Sequence, residues 1–477
     1  MMEGHNYIDG DWVRVAKRLE VYNPAHHQEM VGTIGQSGAR DVDQAVSAAQ
    51  LALGGWKKLG AIERGNRLFQ AALLLEAHVD EMAALASREM GKPIGETRGE
   101  AMRAVAILRY YAGEGYRSVG DVIPAANSTT LQYTTREPLG VVGIITPWNF
   151  PLAIPMWKIA PALVYGNTVV LKPAEWSSLS AARLVEWMAP LLPPGVLNLI
   201  LGLGSQAGEA LVQHDGINGL SFTGSSGVGA HIAEVATKRG VKYQTEMGGK
   251  NPVVVAADAD LDLAMETVVS GAMRSAGQKC TATSRVIVMR DIHRAFVTRL
   301  SERLAQLKQG DPLDPETYLG PVVSRPQRDK IHDLIAKGSQ EGARLVVGGR
   351  IDDALAEGYY IPPTLFDEVD PLATIAQEEI FGPVVGVIPA DSLAKAIEIA
   401  NNVRYGLSAS VFTRDLRTAM TFVNEMEVGM VRVNEETAGV ELQAPFGGVK
   451  ASSSHSREQG RAAIDFYTHL KTVAIRP

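Results

Sequence analysis

The apolar positions of this chain change period along its length. From residue 61 to about 112 they recur as on helices: Leu68, Leu75, Val79 and Met82 share one face at spacings of seven, four and three. Gly91-Lys92-Pro93 interrupts that pattern, and a second helix is predicted over 99–112. Short apolar runs then alternate with helical ones. The runs GVVGIIT (140–146), NTVVLK (167–172), VLNLIL (196–201) and INGLSFT (217–223) read as buried strands. SSLSAARLVEWMAPLL and SQAGEALVQH between them have helical period. The alternation predicts a parallel sheet with helices on both faces, whose strand-to-helix loops suit a ligand. It resumes after Glu246 with the strand NPVVVAA, the helix LDLAMETVVSGAMRSAG, the strand SRVIVMR and the helix HRAFVTRLSERLAQL. This makes a second α/β unit, with Gly248-Gly249 near the seam. The Thr-rich stretch 127–140 reads as an exposed hairpin, and the tail TVAIRP as a strand that pairs with it or with another subunit.

Composition narrows the class. A chain of 477 residues is too long for one core, and at about 150 residues per domain it predicts about three units. A net charge of -7 argues against a nucleic-acid partner, which calls for a basic face. The apolar stretch 138–171 is broken by Asn149, Lys158, Asn167 and five prolines, so no membrane span is expected. The start, MMEGHNYIDGDWV, has neither the basic nor the apolar region of a signal peptide, and a cytoplasmic location is expected. One cysteine allows no intrachain disulfide.

That cysteine, Cys280, lies in RSAGQKCTATS (274–284). It reads either as a small buried hydrophobe or as a nucleophile, which needs thiolate character, access and a partner. Glu246, before two glycines in QTEMGGKNP, is a solvated loop residue or a general base for water. In TPWNFPL (146–152) two prolines fix a loop around Asn149, which either caps a turn or points its amide at a developing oxyanion. FTGSSGVGAHIA (222–233) is a Gly-rich strand-to-helix turn able to seat a phosphate, with Gly224 and Gly229 four residues apart, but it is not the GxGxxG fingerprint. No metal is expected.

PWNFPL, LKPAE, FTGSSGVG, EMGGKNP, GQKC and EEIFGPVV occur in that order. Together they make the chain resemble the NAD(P)-dependent aldehyde dehydrogenase superfamily over nearly its whole length. The resemblance implies an α/β fold with a Rossmann-like cofactor domain (1–126 and 141–247). It further implies an α/β catalytic domain (248–445) and a small β oligomerisation arm with the C-terminal segment (127–140 and 446–477). A homodimer or homotetramer follows from it.

The same resemblance implies residue roles. Cys280 matches the nucleophile, Asn149 the oxyanion amide, Glu246 the base that hydrolyses the thioester, and Lys158 a lysine supporting the site. An oxyanion donor is worth about 2.7–4 kcal/mol. Glu246 disfavours transfer to coenzyme A, since the acylating branch lacks it. Glu379 matches the residue holding the nicotinamide ribose, and Phe381 packs beside it. Thr146, Trp148, Gly224, Ser225 and Gly229 match the surroundings of the pyrophosphate. Lys172 and Glu175 in LKPAE match the contacts to the adenosine ribose. A carboxylate there accepts from a 2′-OH and repels a 2′-phosphate, so NAD is favoured, with NADP possible.

For the aldehyde, Arg274 reads either as a helix C-terminal arginine or as a bidentate anchor for a substrate carboxylate. RSAGQKC is similar to the succinic semialdehyde dehydrogenases, whose substrate loop Ser452 and Ser453 would match. CTATSRVIV and REQGRAAIDFYT are similar to bacterial 2,5-dioxovalerate (α-ketoglutaric semialdehyde) dehydrogenases. The expected substrate is 2,5-dioxovalerate, with succinate semialdehyde second, a broad-range aldehyde dehydrogenase third and a non-catalytic binding protein last. One departure stands out. Many relatives read K-x-S-G-x-G-R-E-x-G where this chain has KASSSHSREQG, one residue longer and with serine for glycine. His455 there reads as a solvated loop residue.

Overall fold

The computed structural model describes residues 2–348, 355–454 and 456–477; His455 lies outside them. Two seven-stranded sheets organise the chain. The first runs, in spatial order, Lys242–Glu246, Gly219–Thr223, Val141–Thr146, Thr168–Pro173, Leu197–Leu199, Asn6–Ile8 and Asp11–Val13. Its first five strands are parallel; the last two, from the N-terminus, form an antiparallel pair whose inner strand, Asn6–Ile8, also runs antiparallel to Leu197–Leu199. The second runs Arg344–Val347, Thr364–Asp367, Val384–Ala390, Thr283–Met289, Asn251–Val255, Ser408–Phe412 and Met430–Val433, parallel except at the first edge.

Central strands such as Val141–Thr146 and Asn251–Val255 are buried nearly throughout because helices cover both faces, which explains why they read as apolar runs rather than alternating ones. Among the described residues no helix is long and apolar enough to cross a membrane.

Three elements differ from expectation. The helix from residue 61 stops at Glu76 and a new one, Val79–Met90, starts after His78, whose ring stacks on Trp187 with centroids 4.5 Å apart. Leu68, Leu75, Val79 and Met82 are all buried, but on two helices that turn the same way into one core. The following helix begins at Ile94, five residues earlier than predicted, since Pro93 supplies a φ of -53° at its threshold. The helix expected to reach Gly277 ends at Met273, for reasons that belong to the active site.

The tail strand Thr468–Ile475 pairs antiparallel with Leu131–Pro138 of its own chain, from Thr468 opposite Pro138 to Ile475 opposite Leu131. Val122–Ile123 closes this three-stranded sheet, so the hairpin starts upstream of residue 127. Of the stretch 446–477, only this strand joins the sheet. Residues 446 to 459 fold back over the end of the first large sheet instead.

Candidate active site

Cys280 sits on a loop held in a demanding shape. After Met273, Ser275, Ala276 and Gly277 all take left-handed conformations, with φ of 56°, 52° and 64°. Two of these residues carry a Cβ, so the strain needs outside support. Glu96 supplies it, accepting from the Ser275 N–H at 2.9 Å and the Ser275 hydroxyl at 2.6 Å. Gly277 is obligatory, as a Cβ there would lie 2.1 Å from the Gly382 carbonyl oxygen. On the far side Asn251 Nδ2 donates to the Cys280 and Ala282 carbonyls at 2.8 and 2.9 Å. Burial first, then the charges of Glu379 and Glu246, push the Cys280 thiol up to about 12. The resting side chain is therefore a thiol.

The loop carrying Asn149 leaves the strand Val141–Thr146 and enters the helix Ala153–Val164. A buried ion pair fastens it. Lys92 Nζ lies 2.6 Å from Glu100 Oε2, donates to the Asn149 carbonyl at 2.6 Å and stands over the Phe150 ring. Glu100 Oε1 accepts from the N–H groups of Leu152 and Ala153 at the helix start. Asn149 Nδ2 donates to the Gln278 carbonyl at 2.8 Å, which ties the two loops together. Lys92 and Glu100 carry no motif and were not singled out from the sequence.

Two cavities meet at Cys280. The first, of about 170 Å3, is lined by Trp148, Asn149, Gly224, Ser225, Glu379 and Phe381 among others. It opens along the turn into the helix Ser226–Arg239, whose first N–H groups are free to receive an anion. Among the described residues the hydroxyl of Thr223, which lines it, is buried without a partner, as is that of Thr146 at the end of the neighbouring strand. Glu379 accepts from the Gly249 N–H at 3.1 Å, and a Cβ on Gly248 would lie 2.4 Å from its carboxylate.

Farther along the sheet end, Lys172 Nζ is 3.9 Å from Glu175 Oε2, and burial lowers the lysine to about 8. Gly229 lets the helix close on Met247, whose sulfur a Cβ would meet at 2.5 Å. The orphaned hydroxyls, the open helix N-terminus, and two carboxylates, Glu379 in the cavity and Glu175 farther along the sheet end, fit an elongated dinucleotide.

Glu246 ends the strand Lys242–Glu246 and lines neither cavity. The serine loop covers it: the Met247 N–H donates to the Ser452 carbonyl, the Ser454 N–H to the Thr245 carbonyl, and Ser453 Oγ to Glu246 Oε2 at 2.5 Å. Ser453 Oγ also accepts from the Gly448 N–H, and Ser452 Oγ from the Gly406 N–H. Ser452 and Ser453, expected at the substrate, thus face away from both cavities. Their place is set by strand-like pairing to residues 245–247, which consumes their polar atoms. Among the described residues Glu246 Oε1 has no partner. Burial first, and then the Glu458 charge, hold this carboxyl well above the usual range.

Behind it Lys158, fully buried, forms an ion pair with Glu458, which also accepts from Trp157 Nε1 at 2.7 Å. Lys158 Nζ donates to Ser221 Oγ as well. Glu458 escaped the sequence reading although it lies inside the quoted REQG.

The second cavity, of about 200 Å3, shares Ile154, Thr223 and Cys280 with the first and is walled by Phe150, Trp157, Val440 and Phe446. Arg274 is not among its lining residues. The helix ends one residue before it, and its guanidinium turns outward to lie 5.7 Å over the Tyr318 ring. The arginine on the cavity wall is Arg103, from the helix Ile94–Glu114, with Gln459 beside it.

The family model for the aldehyde dehydrogenase family matches residues 12–473. The chain is 52% identical to an alpha-ketoglutaric semialdehyde dehydrogenase of Bacillus subtilis, over 99% of this chain and 98% of that protein. It is 40% identical to a 2,5-dioxopentanoate dehydrogenase of Saccharolobus solfataricus, over 99% of each. A betaine aldehyde dehydrogenase of Staphylococcus aureus, solved in complex with NAD+, superposes with a TM-score of 0.96 at 34% identity, covering 99% of this chain and 94% of that one. With its single cysteine at the junction of two cavities and this match along nearly the whole chain, the protein belongs to the aldehyde dehydrogenase family and is an NAD(P)-dependent oxidoreductase.

Proposed function

We propose that the protein oxidises 2,5-dioxovalerate to its dicarboxylic acid, with NAD preferred over NADP. The junction of the two cavities at Cys280 carries this reading, because it brings an aldehyde and a nicotinamide to opposite sides of one sulfur. The names of the relatives from Bacillus subtilis and Saccharolobus solfataricus support the substrate.

Cys280 Sγ gives its proton to water and bonds to the aldehyde carbon, giving the oxyanion of a thiohemiacetal, which is met by Asn149 Nδ2 and the Cys280 N–H. Asn149 gives up its bond to the Gln278 carbonyl to do so. A bound nicotinamide would supply the acceptor for the hydride and its two electrons, so that a thioester would remain on Cys280. Glu246 turns out of its contact with Ser453, takes a proton from water, and the hydroxide releases the acid and the thiol. Lys158 and Glu458 keep the floor of the site charged and ordered.

Glu379 and Phe381 hold the nicotinamide ribose, while Thr146, Trp148, Gly224, Ser225 and Gly229 frame the pyrophosphate. Lys172 and Glu175 meet the adenosine ribose, where the Glu175 carboxylate favours a free 2′-OH. The first large sheet acts as the cofactor domain and the second as the catalytic one. The three-stranded arm exposes Val122, Leu131, Leu470 and Ile475, an apolar edge suited to a second copy of the chain in a dimer or tetramer.

The test is NADH formation with 2,5-dioxovalerate, succinate semialdehyde and hexanal side by side. The dioxo acid is expected to lead hexanal in kcat/KM by roughly a hundredfold, the worth of about two charge-assisted hydrogen bonds. Equal turnover of hexanal would reject the carboxylated substrate.

A further inference from the structure

The cavity on the substrate side carries three charged side chains, Glu96, Glu100 and Arg103. The two carboxylates are already engaged. Glu100 is paired with Lys92 and accepts from two backbone N–H groups. Glu96 takes both the N–H and the hydroxyl of Ser275. Arg103 differs. Among the described residues no carboxylate stands within ion-pair distance of its guanidinium, and Glu441 acts on it only through space. Its contacts are two neutral acceptors, the Val440 carbonyl and, at 3.3 Å, Gln459 Oε1. A half-buried guanidinium that meets neutral oxygens alone has lost hydration without gaining a counter-ion, and an anion of the right reach completes it.

Gln459 is the second observation. It is buried, with φ 60° and ψ 170°, a region populated almost entirely by glycine. Strain of this kind persists where the surroundings over-determine it, and it gathers at ligand clamps. The preceding residue, Glu458, is locked to Lys158 and Trp157, and the following Gly460 N–H donates to the Leu442 carbonyl. Between those two fixed points the backbone turns so that the Gln459 side chain meets Arg103.

We propose that Arg103, braced by Gln459, is the anchor for the far carboxylate of the aldehyde, selecting short ω-oxo carboxylates over plain alkanals. The inference rests on the reading of the substrate as a carboxylated semialdehyde and names the residue that selects it. The guanidinium offers two parallel N–H donors to a carboxylate, and the apolar walls of Phe150, Trp157 and Phe446 flank the carbon chain between it and Cys280. Gln459 holds the plane of the guanidinium and is a positioning residue.

The experiment compares kcat/KM for 2,5-dioxovalerate and for hexanal in the wild type, Arg103→Met, Arg103→Lys and Gln459→Leu. Arg103→Met is expected to cut the ratio by roughly a hundredfold, mainly through a higher KM for the dioxo acid, as loss of a charged bidentate contact implies. Arg103→Lys, which keeps the charge without the fork, is expected to cut it by about tenfold, and it serves as the reading if the methionine variant does not fold. Gln459→Leu is expected to lower the ratio by about tenfold with both substrates still turned over. A wild type that does not prefer the dioxo acid overturns the substrate reading itself. A wild type that prefers it, with the ratio unchanged in Arg103→Met or, failing that, in Arg103→Lys, overturns the anchor and leaves the substrate reading standing.

Discussion

The cavity beneath Glu379 and Phe381 and the cavity beneath Arg103 share Cys280, yet different parts of the chain build them. The first is walled by short contiguous segments at the ends of parallel strands: the loop after Thr146, the turn after Thr223 and the two glycines after Met247. Its polar groups include backbone N–H, hydroxyls, the Asn149 and Gln327 amides, the Glu379 carboxylate and Lys330. The second draws one or two side chains from each of several distant places, including the helix Ile94–Glu114, residues 439–446 and Gln459. It is largely apolar but carries three charges: Glu100 is paired with Lys92, Glu96 is bound by Ser275, and Arg103 meets neutral oxygens alone among the described residues. A cofactor of fixed shape can be read by backbone at a sheet edge, where register is set by the strands. An aldehyde is selected by side chains on elements that sequence evolution can vary one at a time.

Substitutions that act on both cavities, on one, or on neither sharpen this contrast. The largest effect is expected from Cys280→Ser, the shared wall, with a fall in kcat on the order of 10^4 or more for every aldehyde and either coenzyme. A smaller loss, measured as steady-state NADH formation, would place the nucleophile elsewhere.

Next comes Glu246→Gln, expected to leave a burst of about one NADH per site followed by turnover slowed roughly 10^3-fold, because only the water step needs the carboxylate. A variant with no burst would put Glu246 before hydride transfer.

Ser453→Ala tests the latch on the same group. Burial holds the Glu246 carboxyl above its usual range, while the Ser453 hydrogen bond pulls it down. The base works only when ionised, so the rate rises with pH. Removing the serine hydroxyl raises the group further, and the rising limb of the pH profile is expected to move to higher pH. A limb that stays or moves down would deny that contact in solution.

Glu175→Gln touches neither cavity wall and acts only at the Lys172 pair farther along the sheet end. It is expected to shift the NADP-to-NAD ratio of kcat/KM by about tenfold towards NADP without altering the dioxo acid-to-hexanal ratio. Smallest is Arg274→Ala, expected to change that aldehyde ratio by less than about threefold, since an exposed guanidinium over Tyr318 contributes little. A hundredfold drop would return the anchor to Arg274.

Motif residues on strand ends were legible because a strand followed by a Gly-rich turn has few ways to fold. Trp148, Asn149, Gly224, Ser225, Glu379, Phe381 and Cys280 all line the first cavity. Arg274 was misplaced because its spacing from Cys280 assumed a helix to Gly277. Three left-handed residues break that helix, and Glu96, 179 residues away in sequence, supports the break. Ser452 and Ser453 sit near the site in space, but pairing with residues 245–247 decides which way they face. Lys92, Glu100 and Arg103 carry no local pattern, being ordinary charges on helices and loops until a partner arrives from elsewhere, and Glu458, though inside REQG, takes its role only from Lys158 and Trp157.

What the chain determined by itself is therefore the layered α/β architecture and the identity of the chemistry, since period, turn residues and ordered motifs are local properties. Which charges are buried, which are neutralised and which is left to meet a substrate was decided in the tertiary structure. Desolvation and pairing depend on neighbours brought together only when the two sheets and the returning tail close around Cys280.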